Sequence, residues 1–252
     1  MVAATVFMDP FCPWCWAAQP QLRRLQVEFG EGVAITFVIA GLRQRIDDLA
    51  FEAIEASAAS GMPIDARVFL RDPPSSSQPA GLAIHAVAEQ ARGTHVAAYV
   101  RRLQEAVMLE RRRMDSAPAL LDAAREVGGL HLDALRVGFG SSAIVESYAA
   151  DRERAAGLPL PSVRFGDGPA IEGYVAWEAW REAALAAGAR PAGEGPLAIE
   201  GALRRFGPMA TPEVALVCDL AGPRAPAALW QAALEWRVRP RRVAGGELWE
   251  AA

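Results

Sequence analysis

Six consecutive residues near the start, Ala3-Ala4-Thr5-Val6-Phe7-Met8, are apolar or β-branched, and Asp9-Pro10 ends the run. A run this short, closed by a turn signal, predicts a buried strand. From Cys12 to about Phe29 the apolar positions take helical spacing through Leu22, Leu25 and Phe29, with Gly30 as a stop. Residues 33–39 form a second apolar, β-branched run. The chain therefore opens β-α-β, for which a parallel strand pair is the default. The next hundred residues carry helical spacing, over 47–60, 81–92, 94–111 and 116–127. The Pro- and Ser-rich stretch 72–79 predicts a loop whose serines can cap the following helix. Strand character returns at 162–165 and 170–174, a hairpin around Gly166-Asp167-Gly168, and a helix follows over 176–187. The Gly- and Pro-rich stretch 188–196 reads as a linker. Beyond it the spacing predicts helices over 197–206, 211–220 and 225–236, then two short β segments around Gly245-Gly246. Thr211-Pro212 is a good helix start. That order predicts a separate, winged-helix-like module over 197–252.

Composition narrows the options. Of 252 residues, 52% are hydrophobic and 22% charged, which excludes disorder as the dominant state. A net charge of -4 excludes nucleic-acid binding driven by bulk charge. Every basic residue outside the three histidines is Arg, so Schiff-base and Walker-type lysine chemistry are excluded. No apolar stretch is long enough for a membrane span, and the first residues lack the charged and apolar regions of a secretory signal. A cytoplasmic protein is expected. Its three cysteines, Cys12, Cys15 and Cys218, are too few for a disulfide scaffold.

The informative stretch is Asp9-Pro10-Phe11-Cys12-Pro13-Trp14-Cys15-Trp16, where the first strand turns into a helix. Cysteines three apart on a slightly tightened first turn can be bridged. Unsatisfied N–H groups and the positive end of the helix dipole favour a thiolate on Cys12. Pro13 sits where no helical hydrogen bond is lost. The expected arrangement is an accessible attacking thiol, Cys12, and a buried resolving thiol, Cys15, as disulfide exchange requires. Two other readings compete. A zinc site needs further ligands, and His85, His95 and His131 match no ligand spacing. A purely structural bridge across so short a loop would constrain little of the unfolded chain. No metal is expected.

The strand–D-P-x-C-P-W-C–helix start, the helical stretch of about a hundred residues and the Leu-Pro-Ser before the hairpin resemble the DsbA-like branch of the thioredoxin superfamily. Cys-Pro-Trp-Cys is most similar to its cytoplasmic FrnE-like members. The resemblance covers roughly residues 3–190. It implies an α/β, thioredoxin-like fold over 1–42 and 143–190, with a large helical insertion over 43–142. It implies a thiol-disulfide oxidoreductase of reductase or isomerase character, with Cys12 as nucleophile and Cys15 as resolving cysteine. Pro161 matches the cis-proline facing the disulfide, with Pro159 the competing assignment, and Leu160 would offer backbone groups to a substrate chain. Pro13, Trp14 and Asp9 complete the expected substrate side. Two features depart from the pattern. Val6 occupies the position where relatives often carry an acid that handles the buried thiol's proton. Asp9 can substitute, its alternative being a turn or cap residue. Trp14 replaces the His of strongly oxidising relatives, so a weaker oxidant is expected.

The expected substrates are disulfide-containing proteins or small thiols, with no resident cofactor beyond the cysteine pair and glutathione as a candidate reductant. The chain is expected as a monomer or homodimer without membrane or specific nucleic-acid partners. One alternative is a glutathione-dependent transferase or isomerase of the kappa or 2-hydroxychromene-2-carboxylate isomerase type, against which a second cysteine argues. Another is an adaptor or binding protein, suggested by the C-terminal module. Its predicted third helix carries no basic residue, and its Leu/Trp face is expected to pack on the body or a second subunit. Cys218 reads as a buried small hydrophobe, His85 and His95 as surface or packing residues, and Arg111-Arg112-Arg113 as a solvated helix end.

Overall fold

A computed structural model describes residues 1–42, 46–90, 94–192 and 195–252. The expected insertion boundary at 43, a helix end at 92 and part of the linker, 193–194, lie outside the described residues.

The first strand, β1 (Val2–Met8), lies inside a four-stranded sheet of order β2-β1-β3-β4. Strand β2 (Val33–Ile39) runs parallel to it, Val6 beside Phe37. The hairpin β3 (Ser162–Phe165) and β4 (Ala170–Glu172) adds on the other side, with β3 antiparallel to β1 and Phe7 opposite Ser162. This register brings residue 161 to the end of β1 from which the cysteine segment leaves.

The single helix expected over 12–29 is two helices, α1 (Pro13–Ala17) and α2 (Gln19–Phe29). Pro20 is the cause. It has no N–H to donate to the Trp16 carbonyl, which accepts from the Ala18 amide instead. The chain then passes through β2 into a helical region: α3 (Leu49–Ser60), α4 (Arg67–Arg71), α5 (Gln78–Gln90), α6 (Thr94–Met108), α7 (Ala117–Val127), α8 (Leu132–Gly138) and α9 (Ser142–Arg154). Helices α4, α8 and α9 had no separate sequence signal. Helix α9 is mostly polar and buries only Ile144, Tyr148 and Asp151, too few apolar positions for a visible stripe. Packing holds it all the same. A Cβ on Gly81 of α5 would sit 2.6 Å from the Tyr148 ring, and one on Gly41 would sit 2.6 Å from its hydroxyl. Gly81→Ala is therefore expected to cost about 1–3 kcal/mol through overpacking. A thermal melt checks it; an unchanged midpoint would mean that α9 shifts freely.

Helix α10 (Trp177–Ala186) returns the chain to the sheet, with Trp180 edge-on to Phe165. The last segment folds as α11 (Ile199–Phe206), β5 (Met209–Ala210), α12 (Thr211–Val217), α13 (Arg224–Leu234), β6 (Val238–Val243) and β7 (Gly246–Ala251). Its sheet order is β5-β7-β6, and the unit is winged-helix-like. It is not separate. Val27 of α2 belongs to its core, beside Leu203, Met209, Val214 and Trp249. The Arg24 guanidinium donates to the Leu216 carbonyl at 3.1 Å, and Glu213 of α12 pairs with Arg23 of α2 and Arg101 of α6. Of the Leu/Trp face expected to pack on the body or a second subunit, Leu229 packs inward, while Leu234 at the end of α13 and Trp236 just beyond it do not pack on the body. Leu234 and Trp236 are 81% and 84% exposed, because Ala225, Leu229 and Ala232 already fill the helix's inner stripe.

The run Arg111-Arg112-Arg113 is not simply solvated. Arg111 pairs with Asp65 at 3.3 Å, Arg112 with Glu126 at 2.9 Å, and Arg113 with Asp72 and Asp115, each at 3.0 Å. Among the described residues no helix is long and apolar enough to cross a membrane.

Candidate active site

Helix α1 begins at Cys12, its N-cap residue, whose extended backbone (φ -73, ψ 118) leaves the thiol facing the first turn. The Cys15 amide donates to Cys12 Sγ at 3.3 Å. An amide pointing at sulfur is the local charge support expected at a helix start. Both cysteines are free thiols. Burial pushes the Cys15 thiol well above its ordinary value, helped by its hydrogen bond to Cys12. Cys15 is therefore the proton-retaining member of the pair.

The expected exposure of Cys12 is corrected. At 2% it is as buried as Cys15 at 3%. Its access is a cavity of ≈ 350 Å³ lined by Gly41, Leu42, Glu52, Leu158 and Leu160 along with Cys12 itself. Residues 40–42, α3 and the loop before β3 converge over the thiol, a crowding that no local pattern announces.

On the facing side the Leu160–Pro161 peptide is cis, whereas Pro159 follows a trans bond. Cys12 Sγ donates to the Leu160 carbonyl at 3.9 Å. Ser162 secures this loop by donating to the Pro159 carbonyl at 2.6 Å. Pro13 is buried, and Trp14 is half-buried with its ring 5.7 Å from Tyr174. Trp16 points inward, donating to the Pro63 carbonyl at 2.9 Å beneath the Arg101 guanidinium at 4.2 Å. Cys12, Cys15 and the Leu160–Pro161 peptide thus meet at one place, whereas Pro13 and Trp14 do not line the cavity at Cys12.

Asp9 is fully buried in the turn before α1. Its Oδ1 accepts from the Phe11 amide at 2.8 Å, as a turn residue's would. Its Oδ2 accepts from the Ser77 hydroxyl at 2.6 Å. Desolvation raises its pKa from 3.8 to about 6 against these hydrogen bonds, and its charge in turn raises Cys15. Ser77 is the partner that sequence reasoning missed. It lies in the 72–79 loop, where its sequence signal was only that of a helix cap.

A raised carboxyl pKa means that the folded state binds the proton more tightly than the unfolded one. Asp9 then destabilises the fold increasingly as pH climbs from about 4 to about 6, and fully above that. Asp9→Asn should therefore remove about 2–3 kcal/mol of stability loss between pH 4 and pH 7. Denaturant titrations of both proteins at the two pH values check this; parallel pH profiles would contradict it.

The histidines lie apart. His85 Nδ1 is 3.0 Å from Ser147 Oγ and its Nε2 is 3.3 Å from Asp151 Oδ2, tying α5 to α9, while His95 and His131 are exposed. Among the described residues no cluster of His, Cys, Asp and Glu could hold a metal. Cys218 is buried in the C-terminal module, and burial pushes its thiol up to about 11.

Known proteins place this architecture. The chain is 30% identical to the ClpXP adapter protein SpxH of Halalkalibacterium halodurans over 85% of its own length and 77% of that protein's. It is 27% identical, with the same coverage, to the ClpXP adapter protein SpxH of Bacillus subtilis. The cytosolic disulfide reductase DsbM from Pseudomonas aeruginosa superposes with a TM-score of 0.58 over 73% of this chain and 98% of that one, at 24% identity. The profile of the family described as Thioredoxin matches residues 5–163, from β1 through the cysteine pair and the helical region into β3. By that match, and by a sheet and a cysteine-bearing helix start arranged as the family requires, the chain belongs to the thioredoxin family.

Proposed function

We propose that the protein is a thiol-disulfide oxidoreductase that works through Cys12 and Cys15. One observation carries this reading: two free thiols meet at a helix start, 3.3 Å from Cys15 N to Cys12 Sγ, opposite the Leu160 carbonyl and cis-Pro161. The Cys12 thiolate attacks a substrate disulfide and forms a mixed disulfide, releasing one substrate sulfur as thiolate. Cys15 then attacks Cys12, and the second substrate sulfur leaves. Asp9 takes the Cys15 proton. The Leu160 carbonyl offers a strand-like acceptor to a substrate backbone. The small cavity and the neutral Trp14 suit a reductase using glutathione in the cytoplasm. The test is reduction of insulin or hydroxyethyl disulfide with glutathione as reductant. Activity lost in Cys12→Ser and in Cys15→Ser supports the reading. Activity retained by Cys15→Ser would favour the glutathione-dependent transferase or isomerase alternative.

A second reading has its own observation. Trp230, Leu234 and Trp236 of the C-terminal module are 44%, 81% and 84% exposed, and exposed aromatic residues of this kind anchor protein partners. Together with relatives that are adapter proteins, this supports a protein-binding role alongside exchange. Binding of purified ClpXP to the wild type, lost in Leu234→Ser/Trp236→Ser, would support it; equal binding by both would remove it.

A further inference from the structure

The Asp9 carboxylate is wholly buried, yet no cation pairs with it among the described residues. Its neighbours are donors. Phe11 N–H holds Oδ1 at 2.8 Å, the Ser77 hydroxyl holds Oδ2 at 2.6 Å, and the Leu42 amide adds a weaker backbone hydrogen bond. Ser77 is itself buried, and its Oγ accepts from the Leu42 amide at 3.3 Å. An amide donates only, so that bond fixes the direction of the network. The single hydroxyl hydrogen of Ser77 is left for Asp9. A residue needed only to shape the turn would use Oδ1 alone. Here the second oxygen is held as well, by a side chain 68 positions away on the helical insertion, and the Asp9 backbone hydrogen-bonds the Cys15 thiol that must lose a proton.

We propose that Ser77 is a positioning residue for the resolving half of the exchange: its hydroxyl holds the Asp9 carboxylate as the acceptor of the Cys15 proton. The proposal rests on the reading of Cys12 and Cys15 given above. In the resolving step the Cys15 S–H bond breaks and its proton goes to Asp9. The Cys15 sulfur bonds to Cys12 Sγ, the bond from Cys12 to the substrate sulfur breaks, and its electron pair leaves on the substrate thiolate. Asp9 returns the proton to solvent afterwards. Among the described residues the other charged or titratable groups around Asp9 are Cys12 on the same turn, Tyr148 of α9 and, behind it, Arg152 and His85. Glu52 of α3 borders the cavity beyond Leu42. Besides Ser77 the donors to Asp9 are the backbone amides of Phe11 and Leu42, which Ser77→Ala leaves in place. Donation from Ser77 favours the ionised carboxylate, offsetting part of the desolvation that brings Asp9 to about 6.

The reduced full chain is mixed with dithiobis-nitrobenzoate, and release of nitrothiobenzoate is followed by stopped flow. The concentration-dependent phase reports attack by Cys12. The unimolecular second phase reports resolution by Cys15. In the wild type the second phase should fall off on the acid side with a midpoint near pH 6, the value for Asp9. In Ser77→Ala the midpoint should move up by about one pH unit, making resolution about fivefold slower at pH 6, with the first phase unchanged. Ser77→Thr keeps the hydroxyl and should return the midpoint. Asp9→Asn should abolish the acid limb. A midpoint unmoved in Ser77→Ala, while Asp9→Asn abolishes the limb, overturns the proposal alone. A limb that survives in Asp9→Asn overturns the role of Asp9 and the proposal with it. A wild type that releases only one equivalent overturns the exchange reading itself.

Discussion

Cys15→Ser is expected to leave a protein that attacks disulfides and does not let them go. The reacted Cys12 sulfur is bonded to substrate, and the group placed to displace that bond is the Cys15 thiol one helical turn away. Burial holds Cys15 protonated, so it does not compete with Cys12 for the first attack. Once it is replaced, resolution falls to thiols from solution. Well-oriented intramolecular groups act at effective concentrations of about 10⁵ M or more, so even a large excess of external thiol is a poor substitute. Turnover should fall by about three orders of magnitude or more on that basis. Mixed disulfides should build up and be visible as mass adducts on non-reducing separation. They should disappear in Cys12→Ser/Cys15→Ser. Adducts that map to Cys218, or a Cys15→Ser protein that turns over normally, would sink the assignment.

The largest loss of stability is expected outside the thiol pair, at Glu213. This side chain is fully buried between the module and the body. It accepts from Arg101 at 2.8 and 3.1 Å, lies 3.0 Å from Arg23 Nε, and takes the Ala210 amide at 2.7 Å. Burial and the neighbouring Arg101 push Arg23 down to about 10, with Glu213 working in the opposite direction. Burial also opposes the Arg101 charge, yet Glu213 and Glu105 hold that guanidinium above its usual value. Glu213→Ala would leave two buried guanidiniums sharing one remaining carboxylate, Glu105. Breaking a buried ion cluster in this way costs about 3–5 kcal/mol. Glu213→Gln keeps an acceptor for Ala210 N and one arginine, and should cost less. Chemical denaturation of the three proteins decides it; a loss below about 1 kcal/mol in Glu213→Ala would place the cluster among weak surface pairs. Arg101 also covers Trp16, so exchange kinetics of the same variants would show whether loosening the module reaches α1.

Much of the site was legible because its parts are local. The cysteine spacing, the helix start and the candidate proline are each written in a few adjacent residues, and the structure brings Cys12, Cys15, Leu160 and Pro161 together. The missed features are the ones made by distant residues. Cys12 is closed over by Gly41, Leu42 and Leu158, which share no pattern with the cysteine segment. Ser77 looked like a helix cap because Ser before a helix usually is one. Helix α9 buries too few apolar positions for periodicity to reveal it, and the split between α1 and α2 turns on one residue, Pro20, inside an otherwise continuous helical spacing.

By itself the sequence determined the strand–helix–strand opening, the hairpin at 162–172, the winged-helix order of the last segment and the pair of thiols. Each depends on interactions within one element or between neighbours, where apolar spacing and Gly or Pro placement act directly. Tertiary structure alone decided that the last module is docked through Val27 and Glu213, that its Leu234 and Trp236 face outward, and that Asp9 is buried against Ser77. The physical reason is the same in each case. Desolvation depends on what covers a group, and the covering residues here come from elements dozens to nearly two hundred positions away. A sequence window holds the charge of Asp9 or Glu213 but not the surroundings that set its energy.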